Sequence, residues 1–185
     1  SNSFYKSRNV NVDAFNKYEI SSQLFIVTGA QFQFHEMSNV SQYDAITTEM
    51  AKFNMIDPYV TAVYNSGFGL NLNAGARYNI HSKYGNNLVY NVNPSFSFSE
   101  SLKVLASYST AFVTPSLYQL HSPYGDLDLS PEKDATAEVG FEVSLANKKV
   151  VLNAVAFQRE EEDAIGFDLM TYKYFNVNGK NKAKG

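Results

Sequence analysis

The sequence predicts an all-β protein of antiparallel, up-and-down strands that forms part of a large transmembrane β-barrel. Three observations carry this expectation. Apolar residues recur at every second position in one segment after another. The connections between those segments alternate between tight and long. No run approaches the roughly 20 consecutive apolar residues of a membrane helix, so only strands of a closed barrel can span a bilayer here.

The clearest segment puts Leu70, Leu72, Ala74, Ala76, Tyr78 and Ile80 on one face and Asn71, Asn73, Gly75, Arg77, Asn79 and His81 on the other. The next repeats the rule, with Leu88, Tyr90, Val92, Pro94, Phe96 and Phe98 opposite Asn87, Asn91, Asn93, Ser95, Ser97 and Ser99, breached only by Val89. Leu102 to Phe112 and Ala135 to Leu145 continue it. Less regular strands fall at roughly 8–18, 23–36, 57–66, 149–160 and 171–183, about nine in all. Asn65 to Gly69, Ser99 to Ser101 and Ala146 to Lys148 are tight connections, whereas Glu36 to Asp57, Phe112 to Asp134 and Gln158 to Thr171 are long. Short turns therefore gather at one end of the sheet and long loops at the other, and the Asn- and Ser-rich rows suit a wet interior. Between Ile46 and Met55 irregular apolar spacing and two threonines leave a short helix and an irregular loop equally open.

Composition narrows the function classes. With 13 Tyr, 14 Phe, no Trp and only 18% charged residues, the chain is poor in charge and not rich in long apolar runs. It has no Cys, which excludes disulfides, thiolate nucleophiles and thiol metal sites. A net charge of -3 with scattered Lys and Arg offers no footprint for nucleic acid. The chain opens Ser1-Asn2-Ser3-Phe4 without a leader-like segment and reads as a fragment.

The long loop after Phe112 carries Pro115, Pro123, Gly125 and Pro131 and cannot be regular strand. It also holds the ligand-binding candidates Tyr118, His121, Tyr124, Asp126 and Asp128. Tyr118 and Tyr124 offer large rings with one polar tip, suited equally to ligand contact and to loop packing. Asp126 and Asp128 share a face of an extended segment and suit a polar group, although Asp in such turns commonly bonds its own backbone. His35, His81 and His121 all sit near long-loop ends. Glu160 to Asp163 is the densest charge cluster, but neighbours on a strand point to opposite faces and cannot jointly grip one ion. There is no Gly-x-Ser-x-Gly elbow and no phosphate loop, so we read no enzyme, no catalytic residue, no metal site and no cofactor. Tyr59, Tyr78, Tyr84, Tyr90, Tyr108, Tyr172 and Tyr174 stand at strand ends, where an interfacial girdle is expected.

Two blocks resemble one family. Pro115-Ser-Leu-Tyr118, Leu129-Ser-Pro-Glu-Lys133 and Val139-Gly-Phe-Glu142 stand in order before and within a strand. Ala156-Phe-Gln-Arg159, Asp163-Ala-Ile165 and Tyr174-Phe-Asn-Val-Asn-Gly-Lys180 follow downstream. This pattern resembles the TonB-dependent outer-membrane receptors, and Leu117 to Lys133 with Tyr172 to Asn176 look most like the cobalamin-receptor branch. The resemblance implies a Gram-negative outer-membrane receptor whose barrel has about 22 strands. Such a receptor captures a scarce, bulky nutrient and draws energy from TonB through a plug. Cobalamin is the first ligand expected, and a ferric siderophore or haem the second. Residues 1–185 then form part of the barrel domain, lacking plug and TonB box. Open sheet edges would make the isolated chain self-associate. The rival readings are a β-sandwich that binds glycans or acts as an adhesin, and a passive porin. The sandwich would hide its apolar rows in a core, whereas the barrel would turn them to the lipid bilayer.

Overall fold

A computed structural model describes residues 4–40, 45–47, 49–147 and 149–185. The strands are β1 (Phe4–Glu19), β2 (Leu24–Val40), β3 (Ala45–Ile46), β4 (Lys52–Asn65), β5 (Leu70–His81), β6 (Gly85–Ser97), β7 (Leu102–Val113), β8 (Glu132–Leu145), β9 (Val150–Glu162), β10 (Ile165–Asp168), β11 (Lys173–Asn176) and β12 (Lys180–Lys184), with one short helix, α1 (Leu117–His121). The 10-stranded sheet runs β1-β2-β4-β5-β6-β7-β8-β9-β12, with β3 paired to β2, and β10 and β11 form a separate hairpin. Every pairing is antiparallel between chain neighbours, apart from the small insertions β3 and β10–β11. The eight long strands have 12 to 17 residues, more than the roughly 9–11 needed to cross a bilayer.

Register carries one face across the whole sheet. Asp13 stands opposite Gln31, Gln31 opposite Asp57, Tyr59 opposite Arg77, Gly75 opposite Asn91, Asn91 opposite Ser109, Ser109 opposite Thr136, and Thr136 opposite Arg159. Partners in a ladder point the same way, so these residues line one polar wall. The opposite face carries Ile56, Tyr78, Leu88, Val104, Val139, Phe141 and Leu152, all exposed, Val139 at 55%. The buried residues of the long strands are mostly polar, namely Asn39, Asp57, Asn79 and His81. An inverted distribution of this kind suits a wall that presents its apolar rows to lipid, and it removes the sandwich reading, which requires those rows to be covered.

The buried apolar cluster lies at the long-loop end instead. Met37, Ile46, Ala51 and Leu117 pack together, with Phe53 and Tyr118 against them. The other end has tight connections between β1 and β2, β4 and β5, β6 and β7, and β8 and β9. In the second of these Gly69 adopts φ +98, where an added Cβ would meet the Ser97 carbonyl oxygen at 2.5 Å.

One open alternative is resolved and two expectations need correction. Among the described residues between Ile46 and Met55 no helix forms: Ile46 belongs to β3, and from Lys52 the chain already pairs with Glu36 of β2. Sheet hydrogen bonds and burial of Ile46 and Ala51 against Leu117 outweigh the weak local helix signal. The strand expected at 171–183 is divided into β11 and β12 around Gly179, which takes φ +92. The long-loop end also holds a tight connection, the three-residue turn from β5 to β6.

Tyr59 crosses β2 on the polar face and donates its hydroxyl to Asp13 Oδ1 at 3.0 Å, with the Arg77 guanidinium 5.2 Å from its ring. A Cβ on Gly29 would sit 2.6 Å from that ring, so Gly29→Val should displace Tyr59 and destabilise the wall by about 1–3 kcal/mol. Val139→Arg, on the apolar face, should cost about 2–4 kcal/mol if placed near the bilayer midplane, and Ser107→Arg on the polar face much less. Urea unfolding of the lipid-inserted barrel, followed by gel-shift mobility, measures both effects.

Candidate functional site

The β7–β8 loop is a built object. Pro115 is fully buried, and Ser116 then opens α1 through a capping box. Ser116 Oγ accepts the Gln119 N–H at 3.2 Å, and the Ser116 N–H donates to Gln119 Oε1 at 2.8 Å. Such a cap stabilises a helix start by about 1 kcal/mol. Leu117 and Leu120, spaced by one helical turn, turn inward, and Leu129 is buried further along the loop.

The loop is then fastened to its neighbours. Asn176 Nδ2 donates to the carbonyls of Ser130 (3.0 Å) and Asp163 (2.6 Å), while its Oδ1 accepts the Ser130 N–H at 2.8 Å. Lys173 Nζ donates to the Pro123 and Gly125 carbonyls at 3.0 and 3.3 Å, and the Tyr174 N–H donates to the Tyr124 carbonyl at 2.9 Å. From the other side Lys83, in the β5–β6 turn, donates to the Leu127 carbonyl at 2.9 Å. The β7–β8 loop thus bridges the β5–β6 turn and the β10–β11 hairpin.

Its rings join a continuous series. Tyr5 lies 6.2 Å from Tyr118, Tyr118 6.4 Å from Tyr174, Tyr174 4.9 Å from Phe167, and Phe167 6.2 Å from Tyr124. Burial, followed by the neighbouring Tyr5, raises the Tyr118 phenol above its ordinary range. Tyr124 stays exposed. Beside α1 an open groove of about 330 Å3 is lined by Ser7, Asn9, His35, Phe53, Ser116 and Tyr118, among others.

A second series lies on the polar face: Phe53 is 4.7 Å from His35 and 4.6 Å from His81, and His81 is 5.0 Å from Tyr84. Burial pushes the Tyr84 phenol up to about 12. It also lowers Lys83, an effect opposed by Asp128 and Asp126. His121 is held below the ordinary imidazole range by burial first and by Lys83 second.

The structure brings Tyr118 and Tyr124 into one ring series and sets Asp126 and Asp128 near Lys83. Asp126 Oδ1 accepts the Asp128 N–H at 2.9 Å, the turn role such a carboxylate commonly takes. Among the described residues no group of three or more His, Asp and Glu is arranged to hold a metal ion. Glu160 pairs with Lys182 on the apolar-row side, whereas Glu161 pairs with Arg159 on the polar side, as strand alternation requires.

Of the expected girdle, Tyr78, Tyr90 and Tyr108 are on the outward face, the last two 5.9 Å apart. Tyr59 is on the polar wall, Tyr84 and Tyr174 pack into the loop end, and Tyr172 is exposed beyond it. Sequence reasoning missed Lys83, Lys173 and Phe167. Only the place of Lys173 within the Tyr172-to-Asn176 block offered a signal, since the contacts that position all three are long-range.

Comparisons with known proteins agree with this architecture. The family model for the TonB dependent receptor-like β-barrel matches residues 2–185. The vitamin B12 transporter BtuB of Vibrio cholerae serotype O1 is 30% identical over 115 residues, covering 62% of this chain and 18% of that protein. The matched part of the chain therefore spans less than a fifth of the length of that relative. The crystal structure of the siderophore receptor PirA from Pseudomonas aeruginosa superposes with a TM-score of 0.80 at 21% identity, over 99% of this chain and 36% of that one. The copper transporter OprC matches with a TM-score of 0.78 at 14% identity, over 98% of this chain and 34% of its own. At such identities the structural likeness establishes the fold. The polar wall, the outward apolar rows, the asymmetric connections and a family match over nearly the whole chain lead to one conclusion: this protein belongs to the TonB-dependent receptor β-barrel family, and its wall stands in the outer membrane of a Gram-negative bacterium.

Proposed function

We propose that the parent protein is an energy-coupled outer-membrane receptor that takes up cobalamin. The observation that carries this reading is the 30% identity to a vitamin B12 transporter over 115 residues. The fastened loop supports it by presenting rings at the barrel mouth. In this reading Tyr118 and Tyr124 contact the flat face of the ligand, and Asp126, Asp128 and His121 offer polar contacts at its rim. The groove beside α1 gives a concave surface next to Tyr118. Energy comes from TonB through a plug outside residues 1–185, and these residues supply wall and loops without catalysis. A ferric siderophore is the second reading, favoured by the match to PirA, a siderophore receptor, over 99% of this chain.

Equilibrium binding of cyanocobalamin to the full-length protein in detergent, with haem and a ferric catecholate as competitors, tests the reading. Saturable, selective binding is expected, weakened about tenfold by Tyr118→Ala or Tyr124→Ala, the loss of one aromatic contact of about 1.4 kcal/mol. Preference for an iron complex would transfer the assignment to the second reading.

We also propose that residues 1–185 produced alone self-associate. β1 pairs only with β2, and β12 pairs with β9 only from Gln158 to Glu162, which leaves long open edges. Analytical ultracentrifugation in detergent should show oligomers, and a monodisperse monomer would refute this.

A further inference from the structure

The β5–β6 turn is organised by one imidazole. His81 Nδ1 accepts the N–H of Lys83 at 3.0 Å and the N–H of Tyr84 at 3.2 Å. An Nδ1 that accepts two donors carries no proton, so the neutral ring bears its hydrogen on Nε2. Nε2 is buried and has no hydrogen-bond partner among the described residues, and His81 as a whole is 3% exposed. Phe53 and Tyr84 flank the ring.

The β5–β6 ladder closes at His81↔Gly85, and on the far side the β6–β7 ladder ends at Asn91↔Ser109, with Thr110 Oγ1 accepting the Tyr90 N–H at 2.9 Å. Ser82 bonds Asn54 of β4 through its N–H (3.0 Å) and its Oγ (3.1 Å). Lys83 reaches over to the Leu127 carbonyl and so holds the β7–β8 loop down.

We propose that His81 is a positioning residue: its neutral imidazole fixes the β5–β6 turn, Lys83 passes that order to the loop bearing Tyr118, His121, Tyr124 and Asp126, and protonation of the imidazole releases both. A proton on Nδ1 would confront two N–H donors at hydrogen-bond distance with no lone pair left to accept them, so both bonds would be lost. The turn would then open and Lys83 would lose its aim at Leu127.

The charged and titratable groups facing the ring are Asp57 from β4, His35 from β2, and Lys83 and Tyr84 from the turn. Lys83 in turn faces Asp126, Asp128 and His121 of the loop. His81 is the last residue of β5, on its polar face at the long-loop end of the strand. Burial lowers its proton affinity, and the Asp57 carboxylate offsets that only in part. A folded-state value below the unfolded one means that the order is intact above about pH 6.5 and is lost progressively as pH falls below it.

The inference rests on the loop being the ligand site proposed above, and the test separates the two. Hydrogen exchange of residues 82–84 and 117–129 is measured on the full-length receptor in detergent at about pH 7 and about pH 5, corrected for intrinsic amide rates. Wild type should lose protection roughly tenfold on acidification. His81→Asn should stay protected at both values, because its short amide oxygen can accept the same N–H groups and does not titrate. His81→Phe keeps the ring packing without the acceptor and should be unprotected at both. Equal pH profiles for wild type and His81→Asn, or full protection in His81→Phe, would overturn the proposal. Cyanocobalamin affinity is read in parallel. A roughly tenfold loss confined to the unprotected states supports the positioning role. Affinity unchanged by loss of protection overturns it. If no variant binds cyanocobalamin while exchange behaves as expected, the ligand assignment falls and the latch stands.

Discussion

Within hydrocarbon a peptide group has no hydrogen-bond partner except another peptide group, and the structure follows from that constraint. Long strands paired to sequential neighbours satisfy it, and helices of the length found here could not. Once the strands are committed to a membrane wall, the two faces of the pleat meet different solvents. Apolar rows such as Leu88, Val104, Val139 and Leu152 turn outward, and Asp57, Asn79, Asn91 and Arg77 turn to the polar side. Low charge and modest hydropathy are what such a wall requires, since half of its residues face water.

The same constraint pushes ordinary core packing out of the wall. Met37, Ile46, Ala51, Leu117, Leu120 and Leu129 are buried where the long connections meet. The loop end therefore behaves like a small domain standing on the barrel rim, with its own helix cap, its own apolar cluster and ties through Asn176, Lys173 and Lys83. These ties are single polar contacts rather than ladders. Individually they are worth about 1 kcal/mol each, so the cap is held by far less energy than the wall beneath it.

That difference in stability gives the two parts different roles. The wall is kinetically fixed by its ladder and by lipid. The cap is ordered strongly enough to present rings in a set arrangement, yet weakly enough for one buried imidazole to govern the β5–β6 turn. Relatives with different named cargoes, vitamin B12, a siderophore and copper, share this wall.

Alternation in the sequence by itself determined the strands from Leu70 to Phe112 and from Ala135 to Leu145 and which of their residues share a face, because a two-residue period leaves one solution for each strand. It also separated Glu160 from Glu161. Tertiary structure alone decided the rest. Lys52 to Ile56 joined β4 because β2 offered hydrogen bonds there. Tyr84 and Tyr174 left the expected girdle because buried partners lay in the loop cap. Lys83, Lys173 and Phe167 acquired their places through contacts tens of residues away in the chain. Local pattern reports which face a strand residue takes. It holds no record of which distant carbonyl a loop lysine will reach, because that depends on how the loops fold together over the rim.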